Sequence, residues 1–353
     1  MFYPLGGRIQ ENSLNRLQRF GAEFIEARVH TRLSEVIQEP NMEELKKLQQ
    51  VEPLGQGGDD HEKVVLVVKL SYFDCGGIAL AISLSHKIAD GTSLVAFIDA
   101  WAAMCRGETE VFKPTFDFAS IFPPRALSGL GHAPNVGMTN EKLATKRFVF
   151  DKEKLAKFKE FTSSQVKDPT RVEVVSSYIW RRFMDVAKAK SSTKTSFVAV
   201  HAVNLRPRKR PPIPKHAFGN CWRPAIAMSE QEDGSDLVDK LRAAIRCMND
   251  DFIKTVENGE YLSHLSKSVD LFLKGGFEFC NFSSWCRFPV YEVDFGWGKP
   301  DWVCTTTLPY KNVVILMSTP SGEGIEAWVN MLEDEMNMLE EHLKLMDSVS
   351  SSN

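Results

Sequence analysis

The stretch from residue 63 to 107 constrains the fold more than any other part of the chain. Lys63 to Phe73 is rich in valine and leucine, Asp74-Cys75-Gly76-Gly77 supplies turn residues, and Ile78 to Ser85 is a second apolar run. Two such runs across a glycine turn predict a β-hairpin. After His86-Lys87-Ile88-Ala89-Asp90-Gly91, apolar positions recur at Leu94, Phe97, Ile98, Trp101 and Met104, with Gly107 just beyond. That three-and-four spacing predicts a core-facing helix whose candidate N-caps are Asp90 and Thr92. The unit is strand, turn, strand, short loop, helix.

Beyond it the pattern breaks. Pro114, Pro123, Pro124, Gly129, Gly131, Pro134 and Gly137 leave no periodicity longer than a few residues between Phe112 and Asn140. The break predicts an interdomain linker over 121–141, with one domain over 1–120 and another over 142–353. The second domain should hold a helix over Val172 to Ala189 and a buried strand over Ser196 to Leu205. A Pro-rich basic loop follows over Arg206 to Pro214. A strand pair then runs over Val313 to Ser318 and Ile325 to Val329, across a Thr319-to-Gly324 turn. A closing helix is expected to carry Leu332, Met336, Leu339, Leu343 and Met346 on one face, before a Ser-rich tail from Ser348 to Asn353. A chain of 353 residues has room for both domains.

Composition excludes several partners. A formal net charge of −3 offers no general attraction for phosphate backbones or anionic lipid, so neither nucleic acid nor membrane is an expected partner. The longest apolar runs, such as Val64 to Val68 and Ile78 to Leu84, fall far short of the roughly 18 residues that span a bilayer. The 7 cysteines form no Cys-x-x-Cys pair and several lie in apolar runs, which predicts reduced thiols and a cytoplasmic protein. Met1 to Arg8 has neither the basic nor the long apolar region of a secretory leader.

Two features can carry chemistry. His86 stands where an apolar strand ends and a helix begins, and an imidazole, titrating near about 6.5, suits a general base. Asp90, four positions on, could orient the ring, or pair with a cation and fix the tight loop; the short Ala89-Asp90-Gly91 turn favours the loop role. In a chain with 8 histidines a lone His-x-x-x-Asp match is weak. Asp294-Phe295-Gly296-Trp297-Gly298 is the second feature, and its plain reading is a structural turn around a packed indole. A kinase-type magnesium site fails, because the chain has no glycine-rich loop, paired strand lysine or His-Arg-Asp loop upstream. A metal at His86 and Asp90 would need a third ligand that is not apparent, so no metal is expected. Arg206 directly follows a buried strand and could reach a carboxylate such as Asp90.

Together the two features resemble the paired signatures of the plant BAHD acyltransferases. Further matches are Phe2-Tyr3-Pro4-Leu5 with Gly7-Arg8, Phe24 to Val29, Val203-Asn204-Leu205-Arg206, Phe218-Gly219-Asn220 and Ser284-Trp285-Cys286-Arg287. Ser85 to Asp90, Trp101 with Cys105 to Glu110, and Arg147 to Lys154 are similar to the alkaloid O-acetyltransferase branch. The resemblance implies a two-domain α/β fold like chloramphenicol acetyltransferase, with mixed sheets and an active-site channel between the domains. It implies an acyl-CoA co-substrate, acetyl-CoA by branch, with no permanently bound cofactor, and a small-molecule alcohol acceptor, by branch an alkaloid. A monomer is expected. His86 becomes the general base, and Ser283 and Trp285 match positions whose hydroxyl and indole N–H support the oxyanion. Asp90 should pair with Arg206. Asp294, often labelled catalytic in such proteins, is taken with Gly296, Trp297 and Gly298 as a structural element.

Family members begin well before the Phe-Tyr-Pro-Leu motif, so the resemblance also leads us to expect a first domain without its opening strand and helix. Asn15-Arg16-Leu17-Gln18-Arg19 departs from the family pattern as well. Two alternatives follow: a non-catalytic remnant that binds a small molecule or partner, and a metal-dependent hydrolase using His86 and Asp90.

Overall fold

The computed structural model describes residues 8–10, 13–15, 22–49, 63–125, 139, 141–163, 166–190, 196–230, 237–261 and 276–349. Most of the 121–141 linker, the Phe2-to-Gly7 motif, Arg16 to Arg19 and the tail from 350 lie outside the described residues. The chain forms two compact units. Unit 1 takes residues 1–118 together with 215–220 and 289–307; unit 2 takes 119–214, 221–288 and 308–353.

Unit 1 holds β1 (Arg8–Gln10), β2 (Ser13–Asn15), β3 (Glu23–Val29), α1 (Leu33–Gln38), α2 (Met42–Gln49), β4 (Lys63–Val64), β5 (Leu66–Phe73), β6 (Ile78–Leu84) and α3 (Gly91–Cys105). β1 pairs antiparallel with β2 and β4. β5 is the middle of a second sheet, parallel to β3 and antiparallel to β6. The expected hairpin is therefore present, its turn closed by the Gly76 N–H donating to the Phe73 carbonyl at 2.9 Å. Gly76 has φ +81, which a side chain would resist.

Unit 2 begins with α4 (Phe118–Ile121), whose first residue belongs to unit 1, and continues through β7 (Leu143–Phe150), α5 (Lys152–Ser163), α6 (Arg171–Lys190), β8 (Ser196–Asn204) and β9 (Trp222–Glu230). It ends with α7 (Leu237–Cys247), α8 (Asp250–Asn258), β10 (Phe277–Ser284), β11 (Val313–Ser318), β12 (Ile325–Leu332) and α9 (Glu333–Val349). Its six strands run in the order β7-β12-β11-β10-β8-β9. β10 is parallel to both neighbours, and the remaining pairs are antiparallel. A mixed sheet needs both hairpin turns and helical crossovers, and this one uses both. Continuous apolar runs such as Val313 to Met317 give strands buried on both faces, whereas β9 alternates and shows one face to solvent.

The core of unit 2 is built from Trp180 and Phe183 of α6, Phe197 of β8, Phe282 of β10, Leu316 of β11 and Met336 of α9. Leu332, expected on the closing helix, is instead the last residue of β12, where strand pairing with Leu143 outweighs the helical spacing. A buried carboxylate also sits here. Glu326 of β12 is fully buried and receives both Nε and an Nη of Arg147 at 2.8 and 2.7 Å, the paired geometry that makes such burial tolerable.

Candidate active site

The loop carrying His86 is short and almost fully specified by hydrogen bonds. β6 ends at Leu84, the Ile88 N–H donates to the Ser85 carbonyl at 3.1 Å, and α3 starts at Gly91. Asp90 is extended and its Oδ1 accepts the Ser93 N–H at 2.9 Å, so it caps the helix. A carboxylate at a helix N-terminus also meets the positive end of the helix dipole. His86 is exposed, and its carbonyl accepts a hydrogen bond from the Asn220 side chain at 2.8 Å.

The Asp294 motif lies at the other end of the same helix. Asp294 Oδ1 accepts the Gly296 and Gly298 N–H groups at 2.7 and 3.0 Å, folding the five residues into a closed turn. Both glycines have positive φ, +106 and +110. Those two amide donors, with the nearby charges of Arg106 and Lys299 adding to them, hold the Asp294 carboxyl below the usual carboxylate range. Arg106, just past the end of α3, donates to the Asp294 carbonyl. Phe295 meets Trp101 of α3 edge-on at 4.9 Å and stacks on Trp297 at 5.3 Å, leaving Trp297 61% exposed. With about 1.5 Å of rise per residue, the 15-residue α3 separates His86 from Asp294 by about 20 Å.

Ser283, Trp285 and Arg206 belong to unit 2, so the sequence-derived site residues divide between the units. Ser283 lies near the end of β10 opposite Ile315 of β11, and the Trp285 N–H donates to the Leu316 carbonyl at 2.7 Å. The Trp285 indole N–H donates to Ser283 Oγ at 3.2 Å. That bond occupies the hydroxyl as acceptor and leaves its own hydrogen to donate elsewhere. Arg206 follows β8, parallel to β10, so Ser283 at the end of β10, and Trp285 and Arg206 just past the strands, stand at the C-terminal ends of neighbouring strands. It is only 1% exposed, and its backbone N–H and guanidinium both donate to Asn204 Oδ1, at 3.0 and 3.3 Å.

Ser93, Gly219 and Asn220 frame the His86 loop, yet sequence reasoning assigned them no role. Phe218-Gly219-Asn220 carries no periodicity, and its one local signal is a small residue before an amide between two strands. Among the described residues no group of three His, Cys, Asp or Glu side chains is placed to share a cation, and no helix is long and apolar enough to cross a membrane.

A family model described as the transferase family matches residues 1–346. Stemmadenine O-acetyltransferase of Catharanthus roseus is 43% identical over 356 residues, covering 98% of this chain and 82% of that protein. Vinorine synthase of Rauvolfia serpentina is 44% identical over 359 residues, with the same shares of 98% and 82%. The crystal structure of vinorine synthase matches at a TM-score of 0.81 and 42% identity, over 96% of this chain and 79% of that one. TRI101 of F. sporotrichioides, solved with coenzyme A and T-2, matches at a TM-score of 0.72 over 95% and 85%; at 18% identity it speaks for the fold alone.

Proposed function

Because the chain belongs to the BAHD transferase family, whose members are acyl-CoA-dependent O-acyltransferases, we propose that it moves an acetyl group from acetyl-CoA to a hydroxyl of a plant alkaloid, with His86 as the general base. The observation that carries this reading is identity of 43% with stemmadenine O-acetyltransferase across 98% of the chain, a relative whose name specifies both an acetyl group and an oxygen acceptor. We extend it to a monomeric cytoplasmic enzyme. None of the 7 cysteines, all of them among the described residues, is in a disulfide, as a reducing compartment allows.

In this mechanism the His86 imidazole takes the acceptor's proton as its oxygen attacks the thioester carbonyl. An alcohol is too weak an acid to be ionised beforehand by imidazole, so proton removal accompanies attack. The carbonyl oxygen gains negative charge and needs a donor. The Ser283 hydroxyl supplies it, and the indole N–H of Trp285, by donating to Ser283 Oγ, makes that hydroxyl a stronger donor. Collapse of the tetrahedral intermediate expels CoA thiolate, and protonated His86 returns the proton. Asp90 serves the reaction through the loop it caps. Asp294, about 20 Å away along α3, has a structural role in the 294–298 turn.

Release of CoA thiol tests the proposal, followed for several acyl-CoAs against a panel of alcohols and amines. Acetyl-CoA with a hydroxylated alkaloid should give the fastest release, and His86→Ala should remove about 99% of it or more. Absence of release with every donor and acceptor would reject the enzymatic reading in favour of a binding protein. Turnover that needs no acyl-CoA and that a chelator stops would point to a hydrolase.

A further inference from the structure

Residues 215–220 separate β8 from β9 in the chain, yet they are built into unit 1. The segment runs beside Thr115: the Phe218 N–H donates to the Thr115 carbonyl at 2.8 Å, and the Thr115 N–H to the His216 carbonyl at 3.3 Å. Ser93, fully buried in the first turn of α3, grips the next residue. Its hydroxyl donates to the Gly219 carbonyl at 2.9 Å and accepts the Gly219 N–H at 3.0 Å. One hydroxyl thus holds both sides of Gly219. The residue after it, Asn220, donates from its side chain to the His86 carbonyl at 2.8 Å. The bonds close a ring: chain from His86 to Asp90, cap from Asp90 to Ser93, clamp from Ser93 to Gly219, chain to Asn220, and amide back to His86.

We propose that Asn220 is a positioning residue for His86, fixing through the carbonyl the backbone from which the imidazole projects. This rests on the reading of His86 as the acyl-transfer base. The donor's chemistry is specific. An Asp at 220 would set carboxylate lone pairs against the His86 carbonyl, and an Ala would leave the carbonyl to water. Asn220 is exposed, so water can replace the bond at little cost in stability; what water cannot supply is a fixed direction. A misplacement of about 1 Å can cost roughly a hundredfold in rate, so the loss should appear in turnover.

Asn220→Ala and Asn220→Asp, made in the full chain, test this. Both should lower kcat by about tenfold to a hundredfold, leave KM for acetyl-CoA and the thermal midpoint close to wild type, and spare neither variant more than the other by virtue of size. The His86 ring resonance, identified by its disappearance in His86→Ala, should shift or broaden in Asn220→Ala. Unchanged kcat overturns the proposal, as does a loss that appears in KM or in the thermal midpoint. If the wild type turns over no donor and acceptor pair, the acyl-transfer reading fails by itself. The resonance then decides alone, and an unmoved His86 ring in Asn220→Ala overturns the hold of Asn220 on His86.

Discussion

Every residue of β12 in unit 2 is buried, whereas every residue of β6 in unit 1 stays partly exposed. Ser283 and Trp285 extend from β10, which shares that sheet and is paired with a parallel neighbour on each side, although most of its own residues stay partly exposed. His86 extends from a loop at the end of a strand with little burial, and Asp90, Ser93, Gly219 and Asn220 hold that loop by hydrogen bonds. The difference is one of mechanism. In unit 2 side-chain volume sets position, and errors cost stability. In unit 1 polar geometry sets position: the bond between Asp90 and Ser93 is buried, while the Asn220 bond to His86 is exposed, contributes little net stability, and when lost costs chemistry.

The largest expected effect is on the unit 1 side. His86→Ala should cut turnover by about a hundred- to ten-thousandfold with no change in thermal midpoint, as read by CoA release and melting. A fall in midpoint of several degrees would break the separation. Phe197, fully buried in unit 2, is the counterpart. Phe197→Ala should cost about 3–5 kcal/mol in urea unfolding, and a loss of under about 1 kcal/mol would mean that the sheet is not held by packing.

A buried histidine sharpens the comparison. His201 of β8 stacks on Phe282 at 4.9 Å, and among the described residues its Nε2 has no hydrogen-bond partner. Burial draws its pKa down to about 4, with the Glu173 charge opposing only in part. A free imidazole titrates near about 6.5, so between the two values the unfolded chain binds a proton that the folded chain refuses. Stability is then full above about pH 6.5, declines as pH falls, and levels off below about pH 4, a change on the order of 3 kcal/mol. His201→Leu should flatten that decline in denaturant titrations; an equal decline in both proteins would refute the assignment.

The smallest effect should come from Asp294. Asp294→Ala frees the Gly296 and Gly298 N–H groups and should lower the thermal midpoint by a few degrees and weaken acetyl-CoA binding, while Asp294→Asn keeps an acceptor oxygen and most of both. Since the folded carboxyl titrates below its ordinary range, its support is present at neutral pH and lost as acid protonates it. A dead Asp294→Ala protein with normal midpoint and normal CoA affinity would show that the turn takes part in the chemistry.

Local patterns were readable in the sequence. The valine and leucine runs became β5 and β6, the three-and-four spacing became α3, and Asp90 over Thr92 proved to be the cap because its carboxylate reaches the Ser93 N–H. The helix expected over 172–189 is α6, and the strand over 196–205 is β8. The two excursions into unit 1, at 215–220 and 289–307, were not readable. Their residues are held by bonds to Thr115, Ser93, Trp101 and Arg106, distant in sequence, and no periodicity within the segments registers such partners. For the same reason Phe218-Gly219-Asn220 could be noticed as a likeness but could not be given a task.

Gly219 has a consequence at the level of heredity. Its φ is +143, and a Cβ built there would stand 2.6 Å from the Phe118 ring. Every missense change that one nucleotide can make in a glycine codon brings in a side chain with a Cβ. Every such allele at codon 219 must therefore displace either the backbone torsion or the Phe118 ring, and with it the residue that Ser93 clamps on both sides.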